Sequence, residues 1–99
     1  MFTVEDRGIR EAEIQAKVIK RAKERGCYAR KLVSQSARGF PDIYVARGGR
    51  SVHWEMKSMK GKLSVPQMRE HTALRDAGLT AVVTYGLTQA YEFLDVFFP

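Results

Sequence analysis

Asp42, Glu55 and Lys57 have the types and spacing for metal-assisted hydrolysis of a phosphodiester. Side chains alternate faces along a strand, so a strand over Ser51–Lys57 puts Val52, Trp54 and Met56 on one face and His53, Glu55 and Lys57 on the other. In the preceding segment Ile43 and Val45 share one face, and Asp42, Tyr44 and Ala46 share the opposite one. Pairing the two as a hairpin with both apolar sets together brings Asp42 to the side of Glu55 and Lys57. Mg²⁺ takes oxygen ligands, polarises a phosphoryl oxygen and acidifies a bound water. A neighbouring lysine can orient that water or steady the charge that develops. The competing reading is a surface salt-bridge ladder of Glu55 with Lys57 and Arg50, a common device on sheets.

The elements that must position these residues follow from periodicity and punctuation. Residues 9–25 read as a helix, with Ile14, Val18 and Ala22 at helical spacing and Gly26 as the stop. Residues 28–34 read as a first strand, 35–39 as a polar loop, Asp42–Ala46 as a second strand, Arg47–Arg50 as a hairpin turn through Gly48-Gly49, and Ser51–Lys57 as a third strand. A basic loop, 59–63, precedes a helix opened by Ser64 with Pro66 in its first turn and ended by Gly78. Thr80–Tyr85 reads as a fourth strand, apolar enough to be buried on both faces, and Thr88–Val96 as a last helix. The order α-β-β-β-α-β-α describes an α/β chain, residues 1–99 forming one domain. Its early strands make a meander, and its fourth strand joins the sheet through a helical crossover.

Two helical residues add to the set. Glu11 falls on the same side of its helix as Ile14, Val18 and Ala22, where an unpaired carboxylate is costly, although a first-turn acid also favours the helix dipole. Gln67 lies with His71, Leu74 and Gly78 on one helical face, yet Ser64-Val65-Pro66-Gln67 is also a capping box in which Gln67 bonds back to its own helix start. His71 reads as a satisfied inward histidine, His53 as facing the substrate or supporting the site, and the single Cys27 as a small core residue.

Composition narrows the class. The chain has 99 residues, 17 Lys and Arg against 11 Asp and Glu, and a net charge of +6, with no basic residue after Arg75. A basic body suits a polyanion, and a domain of this size favours a polymer lying across its surface over an enclosed pocket. One cysteine excludes an intrachain disulfide and a cysteine zinc cluster. No stretch has the length of a membrane span and the N-terminus lacks an apolar signal core, which predicts a cytoplasmic protein.

The ordered set Glu11-Ala12-Glu13-Ile14-Gln15, Tyr28 through Ser34, Gly39-Phe40-Pro41-Asp42, Gly48-Gly49-Arg50, Glu55-Met56-Lys57-Ser58, Gly61-Lys62-Leu63-Ser64, Gln67 with His71, and Leu74 with Gly78 resembles the virus-type replication and repair nuclease (VRR-NUC) domain of the PD-(D/E)XK superfamily. The resemblance covers nearly the whole chain. It implies a restriction-endonuclease-like core, a mixed four-stranded sheet flanked by helices. It also implies Mg²⁺, with Mn²⁺ substituting, held by Asp42, Glu55 and the backbone carbonyl of Met56, with Glu11 completing the acidic cluster. Lys57 would act on the attacking water, Gln67 would stand near the site, and the product would carry a 5′-phosphate. Phe40 stands where the family often has a small aliphatic residue.

Arg30, Lys31, Arg38, Arg47, Arg50, Lys60 and Lys62 are the candidate phosphate contacts around the site. No recognition helix presents base-reading side chains, which predicts structure-selective DNA binding. The tail from Tyr91 to Pro99 is unusually apolar, with Tyr91, Leu94 and Phe98 pointing one way and Phe93, Val96 and Phe97 covering other directions. It predicts a homodimer interface, or else a tail folded back on the sheet. Standalone domains that this chain resembles are dimers cutting four-way junctions. The leading expectation is therefore a dimeric, Mg²⁺-dependent Holliday-junction-resolvase-like endonuclease of phage or prophage origin. The alternatives are a nicking or restriction-like nuclease on ordinary duplex and a non-catalytic nucleic-acid-binding module.

Overall fold

A computed structural model describes residues 8–33 and 38–99. The elements run α1 (Glu11–Glu24), β1 (Tyr28–Lys31), β2 (Ile43–Arg47), β3 (Arg50–Lys57), α2 (Val65–Asp76), β4 (Ala81–Tyr85) and α3 (Gly86–Phe97). This is the expected order. Ser34 of the expected first strand, and residues 35–37 of the loop after it, lie outside the described residues.

The sheet has the order β1-β2-β3-β4. The first three strands are antiparallel, and β4 runs parallel to β3 after the α2 crossover. The β2–β3 register is set by its turn. Arg47 pairs with Arg50 around Gly48 and Gly49, whose φ angles of 59° and 82° are those of the two-residue turn that matches strand twist. That turn places Ile43 opposite Trp54 and Val45 opposite Val52, so the apolar sets do share a face.

α1 and α3 cover that face. Ile14, Val18 and Ala22 of α1 and Leu87, Ala90, Leu94 and Phe98 of the C-terminal segment bury themselves against Ala29, Ile43, Val45, Val52, Trp54 and Met56. Burying a side chain of this kind contributes about 1.5–3 kcal/mol. The Trp54 indole meets its one polar need inside this core, donating to Thr84 Oγ1 at 2.8 Å. α1 ends at a glycine turn in which Cys27 N donates to Ala22 O at 2.9 Å and Gly26 N to Lys23 O at 3.0 Å. α3 starts at Gly86, two residues before the expected Thr88, because Gln89 Oε1 accepts from Tyr85 N at 2.7 Å and satisfies the helix start.

Three expectations are corrected. β4 is not buried on both faces, because the crossover sets it at the outer edge of the sheet, where Val82, Val83 and Tyr85 are only partly covered. The tail folds back rather than presenting a broad apolar face. Phe93 packs on Trp54 with ring centroids 4.8 Å apart, Phe97 stacks on Phe93 at 5.1 Å, and among its large apolar residues Val96 stands out at 78% exposure. Arg47 and Arg50 are not beside Asp42. They lie at the hairpin tip, roughly 17 Å along the strands from it, and serve the end of α3. Arg47 donates to Arg25 O and Pro99 O, and Arg50 donates to Phe97 O at 3.0 Å with its guanidinium over the Phe97 ring.

Arg25 completes this clamp, pairing with Asp95 and donating to Phe98 O at 3.2 Å and Leu94 O at 3.4 Å. Its removal leaves the last carbonyls of α3 without that donor. Arg25→Ala should therefore cost about 1–3 kcal/mol, read as a lowered thermal midpoint with no change in far-UV helicity at 20 °C. An unchanged midpoint would mean that α3 is held by its apolar face alone.

Candidate active site

The end of β3 and the start of β2 bring Asp42, Glu55 and Lys57 together on the face opposite the α1–α3 core. Asp42 immediately precedes β2, and continuing the register one step beyond Ile43–Trp54 sets it across from Glu55. Asp42 Oδ2 accepts weakly from Met56 N at 3.5 Å, so the backbone of the central residue of Glu55-Met56-Lys57 lies against it, while the Met56 side chain enters the core. Lys57 Nζ stands 3.8 Å from Glu55 Oε2. This ion pair is the contact that the salt-bridge-ladder reading requires. Arg50, however, is at the other end of the strand, and Glu55 is only 1% exposed, so the pair is no surface ladder.

Glu55 is in an unfavourable place for a charge. Burial pushes its carboxyl up to about 9, and a hydrogen bond and the negative charge of Asp42 push the same way. Lys57 opposes this and Glu11 adds to it. Its Oε1 is buried and receives no hydrogen bond. A carboxyl in this state is offset either by retaining its proton or by gaining a cation. The Lys57 ammonium, at 3.8 Å, opposes this rise without cancelling it.

α2 supplies the second wall. Ser64 Oγ accepts from Gln67 N at 3.2 Å and Gln67 Oε1 accepts from Ser64 N at 2.9 Å, closing the capping box. The same amide group donates from Nε2 to Glu55 Oε2 at 3.1 Å. The cap and the site are therefore served by the oxygen and the nitrogen of one terminal amide, and the two readings of Gln67 are both realised. This predicts a separation. Gln67→Glu keeps a capping oxygen but sets a third carboxylate against Glu55, whereas Gln67→Ala loses both bonds. Gln67→Ala should lower the thermal midpoint by several degrees, corresponding to about 1 kcal/mol. Gln67→Glu should hold the midpoint more nearly at low pH and lose it as pH rises. Equal midpoints for the two variants at every pH would sink this account.

Gly39 explains how α2 comes so near. With φ at +80°, it lies so close to the α2 start that an added Cβ would sit 2.4 Å from the Pro66 carbonyl carbon and 2.5 Å from Gln67 N. Gly61 plays a lesser part from the loop after β3, where a Cβ would fall 3.0 Å from Glu11 Oε2 and 3.2 Å from Lys57 Cβ. That loop carries Lys60 and Lys62, both exposed, past the site.

Glu11 reaches the end of β3 from α1, its Oε2 accepting from Ser58 N at 3.4 Å. It thus sits beside the pair rather than within it. Among the described residues, no three His, Cys, Asp or Glu side chains are grouped to hold a metal ion by themselves. Mg²⁺ does not need such a cage. It usually keeps several waters and binds through one or two carboxylates. The buried Glu55 carboxyl, with one oxygen orphaned and Asp42 beside it, is a donor set of that kind.

The remaining expectations divide. Arg30 lies on the same face of the sheet as Asp42 and Glu55, opposite Tyr44, and Arg38 is exposed next to Gly39. Lys31 does not approach the site. It pairs with Ile43 and takes the parity of Ala29, which puts it on the opposite face of the sheet. His71 is inward and 1% exposed, but neither ring nitrogen has a partner, contrary to the expectation of a satisfied histidine. Burial, then the positive charge of Arg75, lowers its pKa, while Asp42 pulls the other way. Sequence reasoning missed Gly39 as a contact residue. Its place two residues before Pro41, in a Gly-Phe-Pro-Asp string, was the available signal.

Comparison with solved structures reaches the same kind of molecule. The chain is similar to a structure described as a VRR_NUC domain, with a TM-score of 0.77 and 26% identity over 86% of this chain and 94% of that one. A second, described as a VRR_NUC domain protein, gives a TM-score of 0.75 and 20% identity over 92% of this chain and 89% of that one. The Holliday junction resolvase Hjc of Archaeoglobus fulgidus gives a TM-score of 0.57 and 22% identity, covering 74% of this chain and 64% of that one. No protein-family model matches the chain. No curated protein sequence matches it either. Among the described residues, no helix is long and apolar enough to cross a membrane.

Proposed function

We propose, taking the chain as the VRR-NUC nuclease domain of restriction-endonuclease-like fold that its structural relatives make it, that it is a Mg²⁺-dependent DNA endonuclease selective for branched DNA. The observation that carries the proposal is the buried Glu55 carboxyl, with one oxygen free of any donor, set against Asp42 and beside Lys57. A pure binding module has no use for two carboxylates facing a polyanion, since their charge repels phosphate unless a cation intervenes.

Asp42, Glu55 and the Met56 carbonyl would hold Mg²⁺ or Mn²⁺, with Glu11 adding charge from the side. The ion would supply Lewis acidity toward the phosphoryl oxygen and an acidified water. The rest belongs to the chain. Lys57 orients the attacking water and steadies negative charge at the phosphorus. Gln67 fixes the Glu55 carboxyl, and Arg30, Arg38, Lys60 and Lys62 hold flanking phosphates without reading sequence.

A four-way junction as substrate is supported by the likeness to a junction resolvase. Paired cuts on a junction need two copies of the site, so that reading carries a homodimer with it. A cytoplasmic enzyme of phage or prophage origin is the setting this reading implies. The test is cleavage of a four-way junction, a flap, a linear duplex and a single strand of matched sequence in Mg²⁺ or Mn²⁺. Paired cuts in the junction, lost with Asp42→Asn, are the expected result. Binding without cleavage of any substrate in either metal would overturn the enzyme reading, and cleavage of linear duplex alone would overturn the junction.

A further inference from the structure

The catalytic face carries a feature that hydrolysis does not use. Beyond Asp42 and Glu55, the β1–β3 part of that face is a row of rings. Tyr28 and Tyr44 meet edge to face with centroids 6.3 Å apart, Tyr44 meets His53 at 5.1 Å, and His53 meets Phe40 at 5.9 Å. The register puts them on one side. Tyr44 pairs with His53, and Arg30, two residues from Tyr28, pairs with Tyr44. None of the four joins the apolar core, which lies on the other face. Tyr28 is 54% exposed, and the Arg30 guanidinium lies over it at 4.4 Å from the ring centroid.

The outer face of an antiparallel sheet ordinarily carries polar side chains. A continuous row of rings there, with a planar cation at one end and the two carboxylates Asp42 and Glu55 at the other, has the composition of a surface that stacks nucleobases beside a site of chemistry. We propose that Tyr28, Tyr44, His53 and Phe40 form a stacking platform for unpaired bases of the DNA strand, so that the substrate class includes an unpaired segment beside the cleavage point. The proposal rests on the nuclease reading and extends it.

Three observations favour this occupant. The row is continuous with the catalytic pair, since Asp42 lies between Phe40 and Tyr44 and His53 is two residues from Glu55 on the same face. Two strand residues span roughly 7 Å, about two base-stacking steps of 3.4 Å, so a base on His53 belongs to a nucleotide close to the one being cut. The surroundings are basic, with Arg30 on the row and Arg38 exposed beside Gly39, which suits a phosphate backbone. A fully paired duplex keeps its base faces inside the stack and has nothing to lay on these rings, whereas every unpaired base has a face to offer.

The test measures binding in the Asp42→Asn background, in Mg²⁺, with two DNAs of equal length: a blunt duplex, and a duplex with a single-stranded tail carrying 2-aminopurine at the first unpaired positions. The tailed DNA is expected to bind more tightly and its 2-aminopurine fluorescence to be quenched by stacking. Tyr44→Leu and Tyr28→Leu should each reduce the tailed-to-blunt affinity ratio about tenfold and relieve the quenching. Tyr44→Phe should restore both, and Tyr91→Leu, on α3 behind the sheet, should change neither. Tyr28 is half exposed, so its variant folds even if Tyr44→Leu does not. Unchanged ratio and quenching in Tyr28→Leu and Tyr44→Leu would overturn the platform, as would equal binding of the two DNAs by the parent protein. Cleavage by the wild-type chain is scored separately. Quenching without cleavage would sink the nuclease reading and leave the platform, whereas cleavage with no preference for the tail would do the reverse.

Discussion

Glu55→Gln should abolish cleavage and at the same time make the metal-free protein more stable at pH 8. The loss of activity, expected to be at least a thousandfold, follows from removing a carboxylate that would hold the metal. The gain in stability follows from linkage. The Glu55 carboxyl is raised from 4.5 to about 9 in the folded chain, so between those values the native state keeps a proton that the unfolded state has released. Stability is then full below the unfolded value and falls as pH rises toward 9. An amide in that place is neutral throughout and keeps its shape, so the falling limb disappears. The variant and the wild type should have similar midpoints near pH 4.5 and diverge above it, by up to about 5 kcal/mol at pH 8, a midpoint difference of more than about ten degrees. Mg²⁺ should reverse the order at pH 8, raising the wild-type midpoint and leaving the variant's alone. Two denaturation curves, with and without Mg²⁺, measure all of this. Parallel pH profiles for the two proteins would show that Glu55 is ionised in the native state and would remove the ground for a cation there.

The grouping of Asp42, Glu55 and Lys57 was legible in the sequence because strand parity is strict. Once Val52, Trp54 and Met56 face inward, Glu55 and Lys57 must face outward, and a two-residue turn at Gly48-Gly49 leaves Asp42 no choice of partner. The same parity would have placed Lys31 on the wrong side for the site, had its strand been counted from Ala29. Arg47 and Arg50 were not legible in this way. Their charge suggested phosphate, but their partners are carbonyls at the end of α1 and at and beyond the end of α3, whose position depends on how distant helices pack on the sheet. The apolar tail left two placements open for a related reason. A helix with rings at many angles looks too apolar for one interface, yet α3 lies in the corner between Trp54 and α1, where Phe93, Phe97 and Tyr91 all find cover. Charge and hydropathy report what a side chain needs, and tertiary packing decides which neighbour meets the need.

Gly39→Ala should be the most damaging substitution outside the carboxylates, although the residue bears no functional group. Its φ of +80° alone costs an alanine about 1 kcal/mol. The larger cost is contact. A methyl at this position meets the Pro66 carbonyl at 2.4 Å and Gln67 N at 2.5 Å, and these are backbone atoms that no rotamer change can move aside. Relief requires the first turn of α2 to back away from the loop, and that turn carries the Gln67 amide, which reaches Glu55 over 3.1 Å. A retreat of 1 Å breaks this bond, frees the Glu55 carboxyl to rotate and can cost a hundredfold in rate. The expected outcome is a fold retained at 20 °C, a midpoint lowered by about 2–4 kcal/mol of stability, and cleavage reduced at least tenfold with DNA affinity little changed. Gly61→Ala is the comparison, since its methyl would meet side-chain atoms at 3.0 Å and beyond, which can give way. Greater damage from Gly61→Ala than from Gly39→Ala would show that α2 is not held to the site through this contact.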